Sequence, residues 1–344
     1  MTILYVAIDN GVAVIGHRNG EWSVALRLVD HRPQCIAVDP LHQEQVYCGT
    51  FDHGLWHSGD AGVSWKHVGD GIEHEAVMSV AVSQTEQVNG YGVVYAGTEP
   101  SAIFRSEDQG NSWFELTELR KLPSASTWSF PPRPWTSHIR WITPDPLVLG
   151  RIFAAAEAGA LIRSLDGGQT WEDRKPTGPF DTHTLVMHSL APNRLYSAAG
   201  DGFMKPGNGF VQSDDGGETW HRPNAGLDYN YLWSVAADPA DPNTLVVSAA
   251  PGPQEAHHPK SAESAIYRRS GKGSWKQAQK GLPPSTGMLA SVLTANKFEP
   301  GVFYAANNKG LFRSGDAGLT WDELPIRWPG QIGRAHALNV VAEE

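Results

Sequence analysis

An eight-residue stretch, Ser164-Leu165-Asp166-Gly167-Gly168-Gln169-Thr170-Trp171, returns along the chain at the same point of each repeat and limits the folds open to it. Close versions run from Ser58 to Trp65, Ser106 to Trp113, Ser213 to Trp220 and Ser314 to Trp321, and a worn sixth copy ends at Ser274-Trp275. The residue types suit a tight hairpin, because Asp accepts hydrogen bonds from turn amides, Gly takes positive φ, and Ser or Thr bonds locally. The Trp is expected to pack between neighbouring sheets. Copies spaced roughly 45 to 58 residues apart favour an array of similar units, each burying its faces against the next.

Strand signals fill the intervals. Residues 3–28 offer three strands, Ile3 to Ile8, Val12 to His17 and Trp22 to Leu28, divided by Asn10-Gly11 and Asn19-Gly20 turns. Six complete units follow, at about 34–68, 77–116, 139–174, 184–222, 231–278 and 288–324. After the last Trp, Ala337 to Val341 supplies one more strand, able to complete the first unit and remove open sheet edges. The expectation is all-β: a seven-bladed β-propeller of four-stranded blades, one domain over residues 1–344, closed by pairing the C-terminal strand with the N-terminal strands.

The repeated Ser-x-Asp-x-Gly-x-Ser/Thr-Trp pattern resembles the Asp-box, or BNR repeat, of sialidase-like β-propellers, and the resemblance covers nearly the whole chain. It implies a fold more than a chemistry, since in that family the box staples outer strands on the face away from the active site. No Arg-Ile-Pro motif precedes the first box, and sialidases have six blades, so sialidase activity itself is not expected.

A net charge of -10 without any basic run disfavours nucleic acid and anionic membrane surfaces as partners. Met1 to Ile8 lacks a basic, signal-like lead and reads as a strand, which gives a cytoplasmic expectation. Cys35 and Cys48, both in apolar runs, are expected as buried free thiols and are too few for a Cys-based zinc site.

Long segments at Thr117 to Ser137, Gly200 to Gly209 and Pro251 to Ser264 fall in loops expected to share the binding face. Histidines collect just before the inner strands: His31, His74, His138, His183 and His336. Imidazole is the commonest metal ligand, so a ring of these is a candidate site for zinc, iron or copper; the alternative is ordinary solvated loop histidines. Asp52, Glu75, Glu99, Glu157, Asp181 and Asp201 could supply an acid and base for glycoside cleavage. Arg32, Arg140 and Arg334 could clamp a carboxylate. Trp128, Phe130, Trp135, Trp141, Tyr229, Tyr231 and Trp233 could stack on sugars or form a protein contact, although Trp128 and Trp135 could equally pin their own loop.

These groups combine into one expectation. His138, His183, Arg140, Asp181 and Glu75 are the catalytic candidates, and Arg32, His53, Trp135, Tyr231 and Arg334 the substrate-binding ones. They suggest a pocket for a small-molecule or glycan ligand at the channel mouth of a metal-dependent enzyme, with hydrolase, lyase and oxygenase chemistry open. The alternative is a non-catalytic platform for a protein partner.

Overall fold

In a computed structural model of the chain the described residues are 2–130 and 136–342. Among them, the strands form seven antiparallel sheets, the all-β seven-bladed propeller expected from the repeats. Contacts group the chain into two compact units: Met1–Asp9, Ala13–Leu26 and His183–Glu344 form the first, and Asn10–Val12 with Arg27–Thr182 the second.

In the first unit, Ala335–Ala342 pairs with Thr2–Ile8, which continues into Gly11–Arg18 and Glu21–Arg27. Ile3 faces Val341 and Val6 faces Leu338, so the late strand completes the early sheet as expected. The same unit holds the sheets that begin at Thr182–His188, Tyr231–Asp238 and Val292–Ala295. The second holds those that begin at Pro33–Val38, Ala76–Val88 and Ile139–Pro144. Two sheets, those starting at Ile139 and Thr182, have three strands, and the fourth position shrinks to the single bridges Arg163 to Glu172 and Gln212 to His221. Pro223 follows the second bridge and has no N–H with which to extend the ladder.

Each repeat turn is held by its own side chains. Asp60 Oδ1 accepts the Ser64 N–H at 2.8 Å and Oδ2 the Ser64 hydroxyl at 2.6 Å, while Ser58 Oγ donates to Asp60 and accepts from Gly62 N–H. The same bonds recur at Asp108, Asp166, Asp215 and Asp316. Gly168 sits at φ 89°, and a Cβ there would run into Leu116 of the preceding sheet, so glycine is required. The Trp then crosses to its neighbour: Trp113 packs with Tyr47, Leu55 and Val68, and its indole N–H donates to Val68 O at 2.6 Å. Trp275 and Trp321 repeat this against Phe210 and Ile266.

A second repeated device was not anticipated. Asp39, Asp145 and Asp238 end their inner strands buried and accept backbone N–H bonds from Leu41, Leu147 and Ala240. Asp39 also takes Gly92 N–H, and Asp238 takes Gly301 N–H, which ties each sheet to the next. Cys35 and Cys48 are free and buried, and burial pushes the Cys35 thiol up to about 12. No helix among the described residues is long and apolar enough to cross a membrane.

Hydrogen bonds from Ser64 hold the Asp60 carboxyl at about 2; at Asp215 burial pushes upward, but bonds from Thr219 and Ser213 outweigh it and also leave about 2. Because these values lie below the roughly 3.9 of an unfolded Asp, the stabilisation is complete above about pH 4 and is lost as pH falls through about 2. Thermal melts should therefore fall across that window, and less steeply in an Asp60→Asn, Asp215→Asn variant. Asp166→Ala, which strands the Thr170 N–H and hydroxyl, should cost about 1–3 kcal/mol in denaturant titration.

Candidate functional site

The inner strands carry a recurring irregularity that aims the site residues. Register shifts fall between Pro33 and Cys35, Val77 and Ser79, Ile139 and Trp141, and Leu232 and Ser234. Gln34, Met78, Arg140 and Trp233 are thus the extra residues, and a bulge re-aims its side chain out of the strict alternation of a strand.

In the second unit the strand Ile139–Pro144 is preceded by His138, which is 2% exposed. Its Nε2 donates to Glu157 Oε2 at 2.6 Å, and its Nδ1 lies 3.5 Å from Glu99 Oε2. The bulged Arg140 places Nε 3.9 Å from the same Glu157 oxygen. Phe130 stands edge-on to the imidazole at 4.9 Å. The turn after Glu157 is fixed by Asp181, whose Oδ1 accepts the Ala158 N–H at 2.9 Å. The result is one imidazole between two carboxylates, with a guanidinium against one of them. Such a group can move a proton between oxygen acids or bind a polyhydroxy ligand through several charged hydrogen bonds.

In the first unit His183 is fully buried and Trp233 is 5% exposed. His183 Nδ1 donates to Leu232 O at 2.6 Å, which leaves Nε2 as the basic nitrogen, 3.5 Å from the Tyr231 hydroxyl. That hydroxyl also lies 3.0 Å from His257 Nε2 on the short helix Pro253–His257. The His183 and His257 rings flank Trp233 at 4.7 and 4.3 Å, and the Arg334 guanidinium lies 4.9 Å from its ring. The two insertions of this unit meet beside it: Asn230 Oδ1 accepts Gly207 N–H, and a Cβ on Gly252 would touch Phe203.

Sequence expectation and placement differ at several points. Each of the five histidines has a partner nearby. His31 bonds Val29 O, His74 lies edge-on to Phe104, His138 is held by Glu157, His183 by Leu232 O, and His336 by Asp9. None of His31, His74, His138 and His336 belongs to a described trio of His, Cys, Asp or Glu donors close enough to share an ion. Of the arginines, Arg32 pairs with Asp52 and Arg140 with Glu157, while Arg334 lies over Trp233. Glu75 is exposed, and its backbone carbonyl accepts Gly54 N–H. Arg32 and His53 do meet, on opposite oxygens of Asp52. Trp128 pins its loop, packing on Gly159 and donating to Ser124 Oγ, and Trp135 lies outside the described residues. Asp9, missed in the sequence, anchors Arg334 N–H and His336; burial pushes its carboxyl up, but those bonds outweigh it and hold it below the usual range.

No family model matches the chain. Among curated proteins, the xyloglucanase Xgh74A of Acetivibrio thermocellus is 28% identical over 278 residues, covering 65% of this chain and 30% of that protein. The chain therefore spans less than a third of the length of the curated relatives it matches. Among solved structures, a GH74 enzyme of Niastella koreensis superposes with a TM-score of 0.66 at 17% identity, covering 93% of this chain and 51% of the other. YCF48 from Cyanidioschyzon merolae superposes at 0.56 and 12% identity, covering 86% and 85%. These likenesses establish the propeller fold, with GH74 xyloglucanases among its neighbours.

Tyr231→Phe removes the hydroxyl that holds His257 and its insertion. Limited proteolysis should then cut within residues 251–264 faster than in the parent, with the unfolding free energy lowered by about 1 kcal/mol.

Proposed function

We propose that this propeller binds a glycan chain of the xyloglucan type and acts on it as a glycoside hydrolase, with Glu157 and Glu99 as the paired carboxylates. The observation that carries the reading is the placement of both carboxylates against one buried imidazole, His138, with Arg140 beside Glu157. Paired carboxyl groups in distinct surroundings are what acid and base roles in glycoside cleavage require. His138 positions Glu157, Arg140 tunes its charge, and Asp181 fixes the turn that carries it. The xyloglucanase relatives supply the substrate class, and the repeated turns support reading the chain as an Asp-box propeller.

The test is xyloglucan binding by calorimetry together with release of reducing ends. Glu157→Gln keeps an acceptor for His138 while removing the charge, so turnover should fall by about 100-fold or more with affinity changed only a few-fold. A parent that neither binds nor cleaves xyloglucan, or a Glu157→Gln protein with parental turnover, would overturn the reading.

One observation favours a second reading, a protein-assembly platform: Phe203 and Met204, on the short helix Asp201–Met204, are 52% and 83% exposed. Under it, a Phe203→Asp, Met204→Asp variant loses a reproducible stoichiometric partner yet retains parental glycan behaviour.

A further inference from the structure

We propose that His31 and His53, in the second unit, form a two-histidine site for a divalent transition ion such as zinc, nickel or copper. The inference is independent of the glycan reading and uses none of its residues.

The argument begins with protons. His31 Nδ1 lies 2.7 Å from the Val29 carbonyl oxygen, which can only accept, so Nδ1 carries the hydrogen and Nε2 keeps its lone pair. His53 Nδ1 lies 2.8 Å from Asp52 Oδ1. Arg32 donates to the other oxygen of the same carboxylate at 3.0 Å, so Asp52 accepts on both sides and the hydrogen lies on His53 Nδ1. Both rings are therefore fixed in the tautomer whose Nε2 can bind a metal. Among the described residues neither Nε2 has a hydrogen-bond partner.

Geometry and support agree with this assignment. The ring centroids are 4.7 Å apart with planes inclined at 41°. Metal to nitrogen bonds of about 2.0–2.1 Å put the centres of two neighbouring imidazole ligands on one ion about 4.5–5 Å apart. Metal-binding histidines characteristically give their other N–H to a carboxylate or backbone carbonyl, and here one does each. Arg32 braces the carboxylate from its far side at 3.0 Å, with its guanidinium over Phe51. Trp56 stands edge-on to His31 at 4.9 Å and donates its indole N–H to His53 O, so it props the His31 ring and the His53 backbone. The loop that presents His31 holds Leu28, Asp30 and Arg32 at φ 45°, 64° and 46°. Three non-glycine residues in the left-handed region within five positions persist only where the surroundings over-determine them. The His53 side chain is 48% exposed, which leaves room for water to complete the coordination shell.

The experiment uses the full chain without a polyhistidine tag, dialysed against chelator and then titrated with zinc chloride by calorimetry and with copper(II) by electron paramagnetic resonance. The expected result is one equivalent of zinc and a copper spectrum with hyperfine coupling to two imidazole nitrogens. His31→Ala and His53→Ala should each leave one nitrogen and weaken zinc binding at least 100-fold. Asp52→Asn should weaken it by about 10- to 100-fold through the loss of ring orientation. His42→Ala, at a histidine whose ring lies against Tyr91 and Gly90 elsewhere in the unit, should bind like the parent. Melts without metal establish that each variant is folded. Equal zinc affinity in the parent and either histidine variant, or uptake abolished by His42→Ala, would overturn the proposal.

Discussion

Each repeat turn is organised by a carboxylate that satisfies the turn on which it sits. Asp166 spends both oxygens on Thr170, four residues on, while Ser164 returns one bond to the Asp and takes another from Gly168. Because side chains satisfy most of the turn internally, and a remaining N–H bonds within its own blade (Gly167 to Gly150 O, Ala317 to Gly301 O), the turn can recur from blade to blade. What it delivers is the Trp at its end, which belongs to the preceding sheet's packing as much as to its own. The buried Asp39 and Asp238 do a complementary task at the ends of inner strands, where one carboxylate spans two sheets. Stability thus rests on local turns and sheet-to-sheet ties repeated many times, with no single element holding the rest.

That division explains what could be read in the sequence. The boxes are contiguous and their bonds are local, so blade number and strand order were legible, as was the pairing of residues near 340 with residues near 3. The inner-strand carboxylates were missed although Asp39-Pro40, Asp145-Pro146 and Asp238-Pro239 repeat a dipeptide that marks a chain turning out of a strand. The site was less legible because it depends on bulges. An extra residue at Arg140 or Trp233 cannot be seen in an alternation of apolar and polar residues, yet it decides which side chains share a face. Aligning the histidines by their distance from the inner strands likewise gave no view of the local partner that each one takes. Glu99 and Glu157, from different blades, meet on His138 for a reason no spacing rule contains.

The same device serves unlike chemistry in the two units. At Arg140 the bulge brings a cation to a buried carboxylate; at Trp233 it brings an indole between two imidazoles and beneath a guanidinium. Loops then add what the strands lack: Phe130 in one case and His257 in the other. A propeller can diversify in this way without altering its turns, since the bulges lie on inner strands and the Asp-containing turns at the outer ones. Likeness in the turns therefore carries little information about the ligand.

The blade shared by Thr2–Ile8 and Ala335–Ala342 sets an order of events during synthesis. The first three strands leave the ribosome with an unpaired edge, and the strand that covers it follows roughly 330 residues later, a delay on the order of half a minute at ordinary elongation rates. Through that interval Leu4 and Val6, fully buried in the finished sheet, have no lasting partner on one side. Until Ala335–Ala342 arrives, that edge is open to pairing with another copy of the chain, and the hazard ends when the late strand covers it.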